Sequence, residues 1–191
     1  MRRFRSLLPS RFLGRFARSR DGATAVELAL VSVPLFALTM GTLELMVLML
    51  VAATQETATE SAGRMIRTGE FQTATAHSSA DFKGLVCNRM GWLSARCNTD
   101  LTVDVRVFND FATLAANQGM TGQNFNAGNA CFAPGQPGDI VLVRTYLAWP
   151  LFAPIIDAVY ANMGGGRTLL SSATAFRNEP YNSNPAGGAA C

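Results

Sequence analysis

An uninterrupted apolar run at residues 28–53 constrains this chain more than any other feature. Its 26 residues hold one charged side chain, Glu44, whereas about 20 apolar residues suffice to cross the hydrocarbon core of a bilayer. A cleaved secretory signal would have a shorter apolar region followed by a small-residue cleavage site. This run continues into helix-forming sequence, so we predict a transmembrane helix.

The helical pattern extends beyond the apolar run. Glu60 and Arg64 have the spacing and order of a favourable i,i+4 pair, and Gly69 is a typical helix stop. We therefore predict one long helix within residues 23–69, about 68 Å in length at 1.5 Å per residue. Pro34 should bend this helix or loosen one of its turns inside the membrane.

Glu44 is an intramembrane polar residue that needs a partner. A charge at the bilayer centre costs about 2.5–3.5 kcal/mol, so Glu44 should meet another helix or extend toward the outer interface. Both alternatives stay open. Because Glu27 and Glu44 lie about 100° apart around an ideal helix, the two carboxylates do not share one helix face.

Positive charge is concentrated before the apolar run. Residues 1–22 hold seven of the 16 basic residues and one of the 13 acidic residues, so the remainder carries a net charge of −3. Basic segments beside a membrane helix stay in the cytoplasm. We predict a cytoplasmic amino terminus and an exported remainder. No nucleic-acid partner is expected, because the basic cluster abuts the membrane segment and not a folded domain.

The four cysteines all follow the apolar run, at Cys87, Cys97, Cys131 and Cys191. If the arginines stay in the cytoplasm, every cysteine enters an oxidising space where disulfides persist. Zinc is the competing interpretation, but the C-x9-C spacing is longer than that of zinc fingers, and the one histidine is His77. We predict disulfides, with no metal and no cofactor.

The sequence after residue 69 predicts a small α+β domain. Residues 101–107 alternate strictly between apolar and polar, residues 140–147 form a second strand pattern, and residues 167–177 a third. Short helices are predicted near residues 79–91, capped by Ser79, and within residues 149–163.

The chain thus divides into a basic leader, a long helix that contains the membrane span and extends beyond it, and an exported domain with about three antiparallel strands packed against that helix. These parts are residues 1–22, 23–69 (with the span at 28–53) and 70–191.

The start of the predicted helix resembles a prepilin processing site. Gly22 is the last leader residue, small Ala23 the first mature residue, and Glu27 the fifth. Leu28 follows, where pilins usually have an aromatic residue. With the segments downstream, the whole chain resembles TadE-like proteins of the bacterial tight adherence (Flp) pilus systems. The resemblance includes Pro34, Glu44, residues 64–69, Cys87, Cys97, residues 137–141 and residues 177–181.

The resemblance implies a minor pilin or pseudopilin that acts in pilus assembly. A prepilin peptidase would cut between Gly22 and Ala23, which removes the arginines and frees the Ala23 amino group. In an assembled filament, Glu27 would be a buried anion facing that ammonium group on a neighbour, because a buried carboxylate needs such a partner. The expected partners are the membrane, the peptidase, other pilins or pseudopilins and the assembly platform, at the bacterial inner membrane.

Two other classes of protein are the alternatives. A periplasmic scaffold that stays anchored would keep its arginine leader and never enter a filament. An enzyme fits poorly, because the carboxylates at Asp104, Asp110 and Asp157 form no catalytic pattern with the one histidine. Cys87 and Cys97 are close enough in sequence for a local bridge that leaves Cys131 with Cys191, but all three pairings stay open.

Overall fold

The computed structural model describes residues 21–74 and 78–182. Predictions for residues 1–20, His77 and Cys191 lie outside this part of the chain. In chain order the elements are α1 (Asp21–Arg67), α2 (Glu70–Thr73), α3 (Ser79–Arg89), α4 (Ser94–Asp100), β1 (Leu101–Phe108), α5 (Phe111–Ala116), β2 (Ile140–Pro150), α6 (Pro154–Tyr160) and β3 (Arg167–Arg177), with 3-10 turns at Gly91–Leu93, Gly122–Asn124 and Ala127–Asn129.

Helix α1 is the predicted long helix, and it continues through Pro34. Among the described residues it is the one helix long and apolar enough to cross a membrane, from Thr24 to Arg67. This finding is compatible with single-pass membrane anchoring. The chain divides after Thr42 into two compact units. In the described part of the first unit, the large apolar side chains are exposed, as Leu30 is at 72%.

The second unit contains one antiparallel sheet with strand order β1-β2-β3. Val105 pairs with Val143 across the first pair of strands, and Val143 pairs with Thr174 across the second. The three predicted strands are therefore confirmed. Strand β2 is longer than the sequence indicated, because Pro150 pairs with Arg167 at its end.

The part of α1 beyond Thr42 packs on this sheet. Val51, Ala58, Ala62 and Ile66 are buried at spacings that place them along one helix face. They join a core that includes Phe82, Val86, Val105, Val143 and Leu147. The predicted fold class is confirmed: a long apolar helix packs against a three-stranded antiparallel sheet with short helices.

A small polar cluster lies inside this core. Gln55 Nε2 donates to the Thr145 backbone oxygen at 3.0 Å and to Thr145 Oγ1 at 3.1 Å. The hydroxyl oxygens of Thr59 and Thr145 are 2.7 Å apart. All three residues are buried, and a buried polar group without its partner is costly. The cluster therefore fixes which turn of α1 faces the middle strand.

Helix α3 starts one residue earlier than expected. The predicted cap, Ser79, is the first helical residue, and Ser78 is the cap: its hydroxyl accepts the Asp81 N–H at 3.2 Å, while Asp81 Oδ2 accepts the Ser78 N–H at 3.0 Å. This reciprocal pair is a capping box, which requires the acidic residue three positions after the cap. The buried side of the helix carries Phe82 and Val86, as predicted.

The disulfide prediction is confirmed for one pair. Cys87 in α3 is bonded to Cys97 in α4, with their Cα atoms 5.3 Å apart. Cys131 is also disulfide-bonded, and no described cysteine is a free thiol. Cys87 and Cys97 are fully buried, so their bridge links the two short helices α3 and α4 inside the hydrophobic core.

Gly63 of α1 lies against the edge strand β3. A Cβ atom at Gly63 would lie 2.9 Å from Thr174 Cγ2 and 3.1 Å from Phe176 Cε1. We expect Gly63→Leu to lower the free energy of unfolding by about 1–3 kcal/mol through overpacking. Urea unfolding of the full chain in detergent micelles measures this change.

The matched control is Gly84, which is also helical but where an added Cβ would have no atom within 4 Å. Leucine is a better helix former than glycine, so Gly84→Leu should raise stability by about 0.5–1 kcal/mol. Equal effects of the two substitutions would show that contact with β3 does not select glycine at position 63.

Candidate functional site

The residues of the proposed processing site lie in the first turns of α1. Gly22 is one residue after the start of the helix, and the Glu27 and Leu28 side chains are exposed.

Hydroxyl groups within the apolar part of α1 are bonded to the helix itself. Ser32 Oγ donates to the Ala29 oxygen at 3.1 Å, and Thr39 Oγ1 donates to the Leu35 oxygen at 3.0 Å. Thr42 Oγ1 donates to the Thr39 oxygen at 2.9 Å. Such bonds satisfy polar side chains without water. These hydroxyls therefore present little obstacle to a lipid environment.

Glu44 meets the backbone just before α6. Its carboxylate accepts hydrogen bonds from the Phe152 N–H and, at 2.7 Å, from the Ala153 N–H. Ala153 is the N-cap of α6, and Pro154 is its first residue. Hydrogen bonds to a charged acceptor are among the strong ones, and a carboxylate is stabilised near the positive end of a helix. The partner that the sequence left open is thus a short segment of the same chain.

Residues 64–69 and 177–181 meet at the end of α1, in a cluster that we call the helix-end junction (Arg67, Gly69, Asn178, Glu179 and Tyr181). The Glu179 N–H donates to the Arg67 oxygen at 2.9 Å, and the Arg67 and Glu179 side chains form an ion pair at 3.1 Å. Gly69 has φ 77° and lies directly against the Tyr181 ring. These contacts fasten the chain after β3 to the end of the helix.

Residues 137–141 join the helix-end junction through Asn178. This residue is buried, and its Nδ2 donates to the Pro134 oxygen at 3.0 Å and the Gln136 oxygen at 3.1 Å. Its N–H donates to the Asp139 oxygen at 2.8 Å. Residues 64–69, 137–141 and 177–181 therefore have a structural explanation, since together they hold the loop before β2 against the helix end.

Tyr181 remains a neutral hydrogen-bond donor in this junction. Its hydroxyl donates to the Gly135 oxygen at 3.3 Å. Burial raises the pKa of the phenol above its ordinary value, and the negative charge of Asp139 adds to that shift. The phenol therefore keeps its proton throughout the neutral pH range.

The carboxylates considered for catalysis lie in separate places. Asp104 is buried and accepts the Cys131 N–H at 2.9 Å and Arg106 Nε at 2.9 Å. Asp110 caps α5 by accepting the Thr113 N–H at 2.7 Å, and this bond holds the pKa of Asp110 below its ordinary value. The described residues include no group of three or more histidine, cysteine or acidic side chains that could hold a metal ion.

An open cleft of about 330 Å³ lies between α3, β1 and the loop around Ala130. Lys83 is the one titratable side chain among its lining residues, since Cys131 is oxidised. Among the described residues, this lining thus offers an ammonium group without a carboxylate or histidine to act beside it.

In the part of the chain that the structure describes, the fold is α+β, with one membrane-length helix, a three-stranded antiparallel sheet and a buried disulfide. Comparisons with known protein families, with curated proteins and with solved structures find no match.

Proposed function

We propose that this protein is a TadE-like minor pilin or pseudopilin that acts in the assembly of a tight adherence (Flp) type IV pilus. It would be a non-enzymatic, single-pass protein of the bacterial inner membrane, with a cytoplasmic amino terminus and a periplasmic sheet domain. The observation that carries the proposal is the Gly22, Ala23 and Glu27 pattern in the first turns of a membrane-length helix.

Cleavage after Gly22 would change the protein in two ways. It removes seven arginines, which hold the amino terminus at the cytoplasmic face. It also creates an ammonium group at Ala23, four residues before the exposed Glu27 carboxylate. A carboxylate entering apolar surroundings needs an opposite charge or takes up a proton. Glu27 would therefore favour a neighbouring subunit that presents its own amino terminus.

The proposed partners follow from these steps. The membrane holds the unprocessed chain, a prepilin peptidase cuts it, and other pilins or pseudopilins and the assembly platform receive the product. The buried Cys87–Cys97 bridge supports an exported sheet domain, because disulfides persist in oxidising compartments.

The amino terminus of the native protein tests the proposal. We expect intact mass and N-terminal sequencing of the full chain from bacterial membranes to give Ala23 as the first residue. In cells without the prepilin peptidase, residues 1–22 should remain attached. Gly22→Val should block cleavage, because valine removes the conformational freedom of glycine at the bond to be cut.

Gly14→Val is the matched control, since it changes another leader glycine and should leave processing intact. Glu27→Gln is expected to be cleaved normally but to be lost from the filament fraction. A chain that keeps residues 1–22 in both strains would reject the pseudopilin proposal and favour a permanently anchored scaffold.

A further inference from the structure

Helix α6 exposes an apolar surface that the core of its unit does not use. Phe152 is 77% exposed, Val159 72% and Ile155 56%, and Tyr160 is 47% exposed. Ile156 alone is buried on this helix. A short surface helix normally presents polar residues outward, so this exposed face indicates surroundings other than water.

The same unit exposes a second apolar surface beside Glu44. The apolar side chains of this part of α1 that are exposed are Leu43, Met46, Val47, Met49 and Leu50. Because the Glu44 carboxylate accepts hydrogen bonds from Phe152 and Ala153, the start of α6 lies against this turn of α1. The exposed apolar side chains of α6 and those of α1 therefore lie on either side of the contact between Glu44 and the start of α6.

The length of the apolar run indicates what covers these surfaces. The run spans residues 28–53, about six residues more than a bilayer core requires. Counted from residue 28, the ~20 residues that fill the core end near residue 47. Glu44 therefore lies about one helical turn inside the outer edge of the hydrocarbon, and the turns after residue 47 lie at the level of the lipid headgroups. Tyrosine and tryptophan are enriched at that level. Tyr160 is the last residue of α6 and is exposed, as is Phe152 just before the helix.

We propose that α6, with Phe152, is a second membrane-contacting element that lies in the lipid interface and is tethered to α1 by Glu44. Its occupant is the headgroup and upper acyl region of the bilayer that α1 crosses. Ile155 and Val159 enter the lipid, while Ile156 faces the protein core. The Glu44 carboxylate thus sets the depth of the sheet domain on the membrane. The proposal depends on membrane anchoring of α1 and not on pilus assembly.

Fluorescence quenching by brominated lipid tests the occupant. Val159→Trp, made in a Trp92→Phe background, places a reporter on the exposed face of α6. The full chain is reconstituted in vesicles of phosphatidylethanolamine and phosphatidylglycerol whose acyl chains are brominated near the headgroup. We expect bromination to cause a loss of emission from this reporter. Trp149 is buried and contributes the same background to every variant.

Phe111→Trp in the same background is the matched control. Phe111 is also an exposed apolar residue, at 55%. Phe111 follows the end of β1, where Phe108 pairs with Ile140 at the start of β2. Helix α6 follows the other end of β2, so the two reporters lie toward opposite ends of the sheet. Emission from this reporter should not change with bromination. Equal quenching of the two reporters, or none at Val159→Trp, would overturn the proposal.

Two further measurements separate lipid from a second protein copy and test the tether. Quenching at Val159→Trp should not depend on the protein-to-lipid ratio; quenching that appears only at high dilution would mean that another copy covers α6, and would overturn the assignment to lipid. Glu44→Ala should reduce the difference between shallow and deep bromine positions. An unchanged depth profile would refute the tether.

Discussion

Replacing Gly69 by alanine is expected to lower the free energy of unfolding by about 2–4 kcal/mol. Gly69 has φ 77°, a conformation that costs an L-residue about 1–2 kcal/mol. An added Cβ would also lie 2.2 Å from Tyr181 Cγ, so the ring would have to leave its position at the helix-end junction. Urea unfolding of the full chain in detergent micelles measures the loss.

Gly165 separates the two contributions to this loss. It has φ 76°, but a Cβ added there would have no atom within 4 Å. Gly165→Ala therefore carries only the conformational cost, about 1–2 kcal/mol. If the two substitutions destabilise equally, contact with the Tyr181 ring contributes nothing. A Tyr181→Leu background should bring the Gly69→Ala loss closer to the Gly165 value.

Removal of the Cys87–Cys97 bridge is the second large expected effect. The bridge closes a loop with a sequence separation of 10, and both cysteines are fully buried in the core. We expect the double variant Cys87→Ala/Cys97→Ala to lose about 2–4 kcal/mol, because the unfolded chain regains the freedom that the loop removes. Thermal unfolding of the full chain, followed by near-ultraviolet circular dichroism, measures the change.

The single variants provide the control for this prediction. Either Cys87→Ala or Cys97→Ala breaks the same bond, so each should lose nearly as much as the double variant. Losses that add from the single variants to the double would mean that the two side chains stabilise the core separately. In that case the bridge itself would have little effect.

Local sequence patterns predict most of the fold, because they report local geometry. The alternation at residues 101–107 and the apolar run at residues 28–53 each fix one kind of element. They do not predict the end of β2, since Pro150 argues against a strand. Proline is tolerated there because β1 pairs with β2 only as far as Leu147, so Pro150 has a partner strand on one side only, as in an edge strand.

Contacts between distant residues account for what the sequence does not predict. Glu44 and Ala153 are 109 positions apart, and no spacing rule connects them. Gly63 carries no local signal either, because its close neighbours Thr174 and Phe176 belong to the last strand. The helix stop at Gly69 is predicted, but its contact with the Tyr181 ring depends on the path of the chain after β3.

Within the second unit, contacts between α1 and the sheet domain extend along the helix. Glu44 contacts Ala153, Gln55 contacts Thr145, and Arg67 contacts Glu179. A pulling force along the helix axis would load these contacts simultaneously in shear and would not peel them one after another. The sheet domain would then move together with the helix. The time for which it stays folded under the force would be governed by the rate of unfolding under force.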